Sequence, residues 1–143
     1  MIIFLSCVKS KNNCKCKAKD MYISTLFKYA YNYALSLKPE NIFILSAKYG
    51  VLELNDIIEP YEKTLNTMTN SEKTEWANKV IDQLKAKNIN FTDKVVFLCG
   101  HNYREYLLPY FPNNETPLSG VSFGNQLSFY KNKINTSQTR KLF

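Results

Sequence analysis

Pro39-Glu40-Asn41-Ile42-Phe43-Ile44-Leu45-Ser46-Ala47-Lys48-Tyr49-Gly50 holds an unbroken apolar run from Ile42 to Leu45, closed by proline on one side and a Tyr-Gly turn on the other. A strand wetted on one face alternates apolar and polar residues. A continuous run marks a strand covered on both faces, as in the parallel sheets of α/β domains. In such sheets ligands collect in the crevice outside the carboxyl ends of the strands, which puts Ser46, Lys48, Tyr49 and Gly50 at the edge of a candidate site.

Two more runs share the pattern. Ile2-Ile3-Phe4-Leu5 opens the chain, with a first strand expected over about residues 2–8, and Val95-Val96-Phe97-Leu98-Cys99 gives a third. Between the runs the periodicity turns helical. Ile23, Phe27, Ala30, Ala34 and Leu37 recur at three- and four-residue steps, with Asp20 as N-cap and Pro39 as the stop. Thr69-Asn70-Ser71-Glu72 fits a capping box, followed to about residue 87 by a stripe of Trp76, Ala77, Val80, Ile81 and Leu84. This stripe assigns Trp76 to the core. Residues 9–19 are polar and read as a loop, and the stretch after Tyr49-Gly50 reads as irregular. Gly100-His101-Asn102 turns into a short helix broken near Pro109, and an amphipathic stretch covers about 124–134. A basic tail from about residue 131 is expected to fray.

Strand and helix in alternation predict an α/β fold: a three-layer single domain over residues 1–143 with a mostly parallel central sheet. The 143 residues, 45% of them hydrophobic, suffice for one compact core. Neither an internal repeat nor a linker divides them. No apolar run approaches the about 20 residues of a membrane span, and Met1-Ile2-Ile3-Phe4-Leu5-Ser6-Cys7-Val8 reads as a strand rather than a leader, so a cytoplasmic protein is expected.

The formal charge of +7 favours polyanionic partners, nucleic acid above all. Lys9, Lys11, Lys15, Lys17 and Lys19 fall in one stretch with no acid before Asp20. Four cysteines, at 7, 14, 16 and 99, stand in a chain without a secretory leader, which argues against disulfides. Cys14-Lys15-Cys16 departs from the usual Cys-x(2–4)-Cys metal spacing, so no metal is assigned, and a redox-sensitive loop is the other use of those thiols. No cofactor is assigned either: neither Gly-x-Gly-x-x-Gly nor Gly-x(4)-Gly-Lys-Ser/Thr occurs.

Neighbouring strands would bring Ser6, Cys7 and Lys9 together with Ser46, Lys48 and Tyr49, and with Cys99, Gly100, His101 and Tyr103. Hydroxyls, ammonium groups and amides after glycine can hold a phosphate, and tyrosine rings can stack on a base. His101, the one histidine, is a general acid or base by type and a helix-start residue by context. Glu59 and Glu62 flank Pro60-Tyr61. A carboxylate there could stabilise an anomeric carbon during glycosidic bond cleavage.

Leu45-Ser46-x-x-Tyr49-Gly50-Val51-Leu52, followed by Ile58-x-Pro60-Tyr61, resembles the Leu-Ser-x-x-Tyr-Gly-x-Leu…Pro-Tyr segment of the YaaA peroxide-stress superfamily. The chain is more similar still to small bacterial and phage domains of unknown function. With these it shares Ser6-Cys7-x-x-x-Lys11, Tyr22-x-Ser24-x-x-Phe27, Gly100-x-x-Tyr103 and Gly120-x-x-x-Gly124-x-Gln126. The resemblance implies a YaaA-like α/β fold and a cytosolic stress-related or phage-related role. It further implies nucleic-acid binding or nucleobase chemistry, with Tyr22, Ser24, Gly50, Pro60, Gly120, Gly124 and Gln126 joining the ligand site.

Two functions of different class follow. The first is a nucleotide- or nucleobase-handling enzyme that cleaves or exchanges an N-glycosidic bond, a glycosidase or base transferase, with Tyr49, Tyr61 and Glu59 as catalytic candidates. The second is a non-catalytic DNA- or RNA-binding module that contacts phosphates through Lys11, Lys15, Lys17 and Lys19. The oligomeric state is left open by the sequence.

Overall fold

The computed structural model describes the backbone of residues 1–142 and the side chains of residues 1–134. In chain order the elements are β1 (Ile2–Ser6), β2 (Cys16–Lys17), α1 (Ala18–Met21), α2 (Thr25–Ser36), β3 (Asn41–Ser46) and β4 (Gly50–Glu53). There follow β5 (Ile57–Ile58), α3 (Asn70–Ala86), β6 (Val95–Leu98), α4 (His101–Arg104), β7 (Asn114–Glu115) and α5 (Phe123–Leu142). Short 3-10 turns cover Leu65–Thr67 and Leu108–Tyr110.

The three apolar runs are the three inner strands of a five-stranded sheet ordered β4-β3-β1-β6-β7. β1 lies parallel to both β3 and β6, with Phe4 level with Phe43 on one side and Phe97 on the other. β7 continues the parallel set and β4 alone runs antiparallel. Ile3, Phe4 and Leu5 are fully buried, as a strand covered on both faces requires. The Phe4 ring stands 5.2 Å from Phe97 and 5.7 Å from Phe111. The connection from β1 to β3 carries α2, which packs against β1, and the connection from β4 to β6 carries α3, which packs against β4. α5 packs along α2, where Tyr130 is buried against Tyr33 at 5.9 Å.

Several local expectations are corrected. Asp20 is not a cap: it lies inside α1, and Tyr22 behind it is extended. The helix starts four residues later, where Ser24 accepts the Phe27 amide at 3.1 Å, leaving Ile23 48% exposed instead of on the core stripe. The segment 9–19 is not all loop. β2 pairs with β5, Lys11 bridges Tyr22, and Lys19 falls in α1. The stretch after Tyr49-Gly50 is irregular only in part: Gly50–Glu53 folds back as β4, pairing Ser46 with Gly50, whereas residues 59–64 around Pro60-Tyr61 carry neither helix nor strand. The first strand ends at Ser6, and α5 extends well beyond the expected 124–134. The expected frayed tail lies at the end of α5, where side chains from 135 on are outside the described residues. The capping box, in contrast, forms at Thr69 and Glu72. None of the helices among the described residues is long and apolar enough to cross a membrane.

Candidate functional site

The chain leaves β1 toward β3 and leaves β6 toward β7, in opposite directions. Their carboxyl ends thus form the switch point of the sheet, the usual seat of a ligand in this architecture. A cavity of about 1090 Å³ opens there. β1 and the loop after it supply Ser6, Cys7, Val8, Lys9, Ser10 and Lys11, and the turn after β6 supplies Gly100, His101, Asn102 and Tyr103. Glu62, Lys63, Thr64, Asn66, Thr67 and Met68 come from the segment before α3, joined by Glu72 of α3 itself. α2 contributes Leu26 behind its cap Ser24, and α5 contributes Phe123 and Gln126.

Ser6, Cys7, Lys9, Lys11, Ser24, Gly100, Tyr103 and Gln126 are therefore brought together as the sequence suggests. The Cys7 thiol lies 3.2 Å from the Tyr103 hydroxyl, which also accepts the Leu65 amide at 3.4 Å. Burial, then the neighbouring Cys7, raise the Tyr103 hydroxyl above its ordinary pKa and keep it protonated. His101 opens α4, lines the cavity and meets Glu105 at 3.2 Å. Asn102 donates to Asn66 at 2.8 Å and accepts from Lys73 at 2.9 Å.

The β3 end is placed differently. Ser46, Lys48, Tyr49, Gly50, Glu59, Pro60, Tyr61 and Tyr22 are all absent from the lining. The reason is the hairpin: β4 turns straight back along β3 at Gly50, and Tyr61, three residues after β5, meets Ser46 at the end of β3. Ser46 becomes a fully buried junction. Its hydroxyl donates to Tyr61 at 2.7 Å and accepts the amides of Lys48 and Tyr49, while its carbonyl accepts the Trp76 indole at 2.9 Å. Tyr61 and Tyr22 share a 2.6 Å hydroxyl contact. Burial drives both phenols upward in pKa. Tyr49 packs edge-on to Tyr61 at 5.5 Å, and its hydroxyl meets the Glu59 backbone. Gly50 has φ of 78° and sits against the Gln83 carboxamide, which binds Val51 N and Tyr49 O. Gly120 and Gly124 are absent from the lining too, and a Cβ at either would meet open space.

Lys11 links the two regions. Its backbone is pinned by Asn12 N to Met21 O at 2.7 Å and Ile23 N to Ser10 O at 3.1 Å. Its ammonium lies 4.6 Å from the Tyr61 ring centre and 5.9 Å from that of Tyr22. Partial burial lowers its pKa, opposed by Cys7 and Glu62. Lys15 and Lys17 are exposed and Lys19 half-buried, none of them in the lining. Cys14 is exposed, Cys16 half-buried and Cys99 fully buried, its thiol pushed up to about 12 by that burial. No three His, Cys, Asp or Glu side chains among the described residues come together as a metal-binding group.

Thr64, Asn66, Asn102, Leu26, Met68 and Phe123 are lining residues that the sequence did not single out. Most lie in stretches without strand or helix periodicity, and only their nearness to Gly100 and Thr69 could have pointed to them. A comparison with curated proteins finds no match. A protein-family model matches residues 2–132, nearly the whole chain and every element that builds the cavity, and the chain accordingly belongs to a family of unknown function, DUF6884.

Proposed function

We propose that this protein binds a small phosphate-bearing nucleotide or nucleobase derivative in the switch-point cavity and acts on its N-glycosidic bond. The observation that carries the reading is Lys11. A half-buried ammonium is held against two tyrosine rings at the cavity wall and makes no ion pair among the described residues. With Glu62 near it but no carboxylate in direct contact, that ammonium can take an anion from outside, and Lys9 and Lys63 add charge along the same lining. The volume suits a ligand of nucleotide size. Asn66, Asn102 and Gln126 offer amide donors and acceptors of the kind that read a base edge.

For chemistry at the anomeric carbon the lining offers Glu62 in place of Glu59, which stands outside it. Glu72, the other lining carboxylate, is engaged in the Thr69 cap, and those hydrogen bonds hold it below the ordinary carboxylate pKa. As the bond from the anomeric carbon to the base nitrogen breaks, Glu62 would stabilise the positive charge on that carbon and draw a proton from the water that adds to it; the proton ends on the departing base, whose nitrogen the Tyr103 hydroxyl would hydrogen-bond. Kinship with YaaA-like domains belongs to the same proposal and rests on the Tyr49-Gly50…Pro60-Tyr61 block.

Thermal-shift measurements with nucleobases, nucleosides, mononucleotides and short oligonucleotides test the reading on wild type, Lys11→Ala and Glu62→Gln. Mononucleotides are expected to stabilise wild type but not Lys11→Ala, and base release, followed by chromatography, to disappear in Glu62→Gln. Absence of stabilisation by any mononucleotide at millimolar concentration defeats the proposal. Exposed Lys9, Lys15 and Lys17 favour a second reading, a nucleic-acid-binding surface. Stabilisation by oligonucleotides alone, lost on adding salt, would select it.

A further inference from the structure

We infer that the start of α5 forms a base subsite, in which Phe123 stacks on the planar aromatic ring of a nucleotide. The inference rests on the nucleotide reading above and goes beyond it in assigning the ring a place.

Phe123 is 80% exposed, the most exposed of the large hydrophobic side chains among the described residues, yet it is in the cavity lining. Its helix shows why this is unusual. Phe123, Leu127 and Tyr130 recur at the four- and three-residue steps of one helix stripe. Tyr130 on that stripe is almost fully buried against Tyr33, and Leu127 is half-buried. At Phe123 the stripe runs on past its packing partner and overhangs the cavity. A lone exposed apolar side chain is ordinary on a protein surface, but an aromatic one at the mouth of a concave site that also carries amide and ammonium groups is what stacking on a base requires.

The neighbours fit the same use. Gln126, three residues on and thus on the adjoining helical surface, lines the cavity with its amide. Val8, Leu26 and Met68 add apolar side chains to the lining, Met68 from the segment that also carries the Asn66 amide. Lys9 and Lys11 enter from the loop after β1, a different element, so a ring at α5 and a phosphate at the lysines need no shared group.

The test measures binding of adenosine 5′-monophosphate, guanosine 5′-monophosphate and ribose 5-phosphate by calorimetry to wild type, Phe123→Ala and Phe123→Trp. Wild type is expected to prefer the nucleotides to ribose 5-phosphate by on the order of 10- to 100-fold. Phe123→Ala should lose that preference while binding ribose 5-phosphate as before, and Phe123→Trp should restore it. The new indole should also be quenched by nucleotide and not by ribose 5-phosphate, against the buried Trp76 as background. A nucleotide preference that survives in Phe123→Ala overturns the base subsite and leaves the cavity proposal standing. Failure of wild type to bind any of the three overturns both. Unchanged melting of the Phe123 variants, expected for so exposed a side chain, ties any loss to binding.

Discussion

Ser46 shows how far one residue's role can shift between sequence and structure. At the end of an apolar strand it reads as a ligand contact, yet it is the buried junction of Tyr61, Trp76 and two backbone amides. Ser46→Ala is expected to cost about 1–3 kcal/mol in urea unfolding, because it strands buried partners rather than emptying a pocket. The tyrosines it supports carry a pH signature. Tyr22, Tyr61, Tyr103 and Tyr130 have folded pKa values raised by burial, so the unfolded chain loses these protons first as pH climbs. Their contribution is whole below the unfolded tyrosine value of about 10 and is lost above it. Urea midpoints measured from pH 8 to 11 should hold and then fall, less steeply in Tyr22→Phe. A flat profile through pH 11 would contradict the buried assignment. The thiols divide by exposure: a thiol reagent should modify Cys14 first and spare Cys7 and Cys99 until the protein unfolds.

The hairpin of β3 and β4 is the element that decides which strand ends stay open. Its turn needs Gly50 at φ 78°, and a side chain there would be both strained and driven into Gln83. Gly50→Val is expected to lose about 2–4 kcal/mol, combining left-handed strain with the displaced Gln83 bonds to Val51 and Tyr49. Gln83→Ala, which breaks the bonds without the strain, should lose about 1–3 kcal/mol. Equal losses in the two variants would remove strain from the account. Thr69→Ala, at the capping box, should cost about 1 kcal/mol. Elements with strong local signals were legible: the three buried runs, the capping box and the stripe of α3 stand where periodicity puts them. β4 was not, since Val51-Leu52 followed by Glu53 is too short to show alternation and forms only because β3 offers an edge. The start of α2 failed for a related reason, as pairing of Lys11 with Tyr22 holds the chain extended past Asp20.

At the scale of the whole molecule the charge of +7 acts as a field, and the fold distributes it. Among the described residues Lys9, Lys11 and Lys63 are the lysines that reach the cavity, while Lys15 and Lys17 are exposed to solvent. Mononucleotide affinity should therefore fall with salt at a logarithmic slope of about −1 to −2, as neutralising one or two charges gives, and should be unchanged in Lys15→Ala/Lys17→Ala. A slope several times steeper would move the function to the open basic surface. The sequence by itself determined the sheet's inner strands, the helices that cover it and the candidacy of Ser6, Cys7, Lys9, Lys11, Gly100 and Tyr103. Those features depend on local periodicity and on strand ends, which are written in consecutive residues. The tertiary structure alone decided that β1 and β6, not β3, open onto the cavity, that Tyr22, Tyr61 and Ser46 lock the fold beside it, and that Phe123 overhangs it. Each of these turns on which strand lies next to which and what covers its end, and residues far apart in the chain settle that only when they pack.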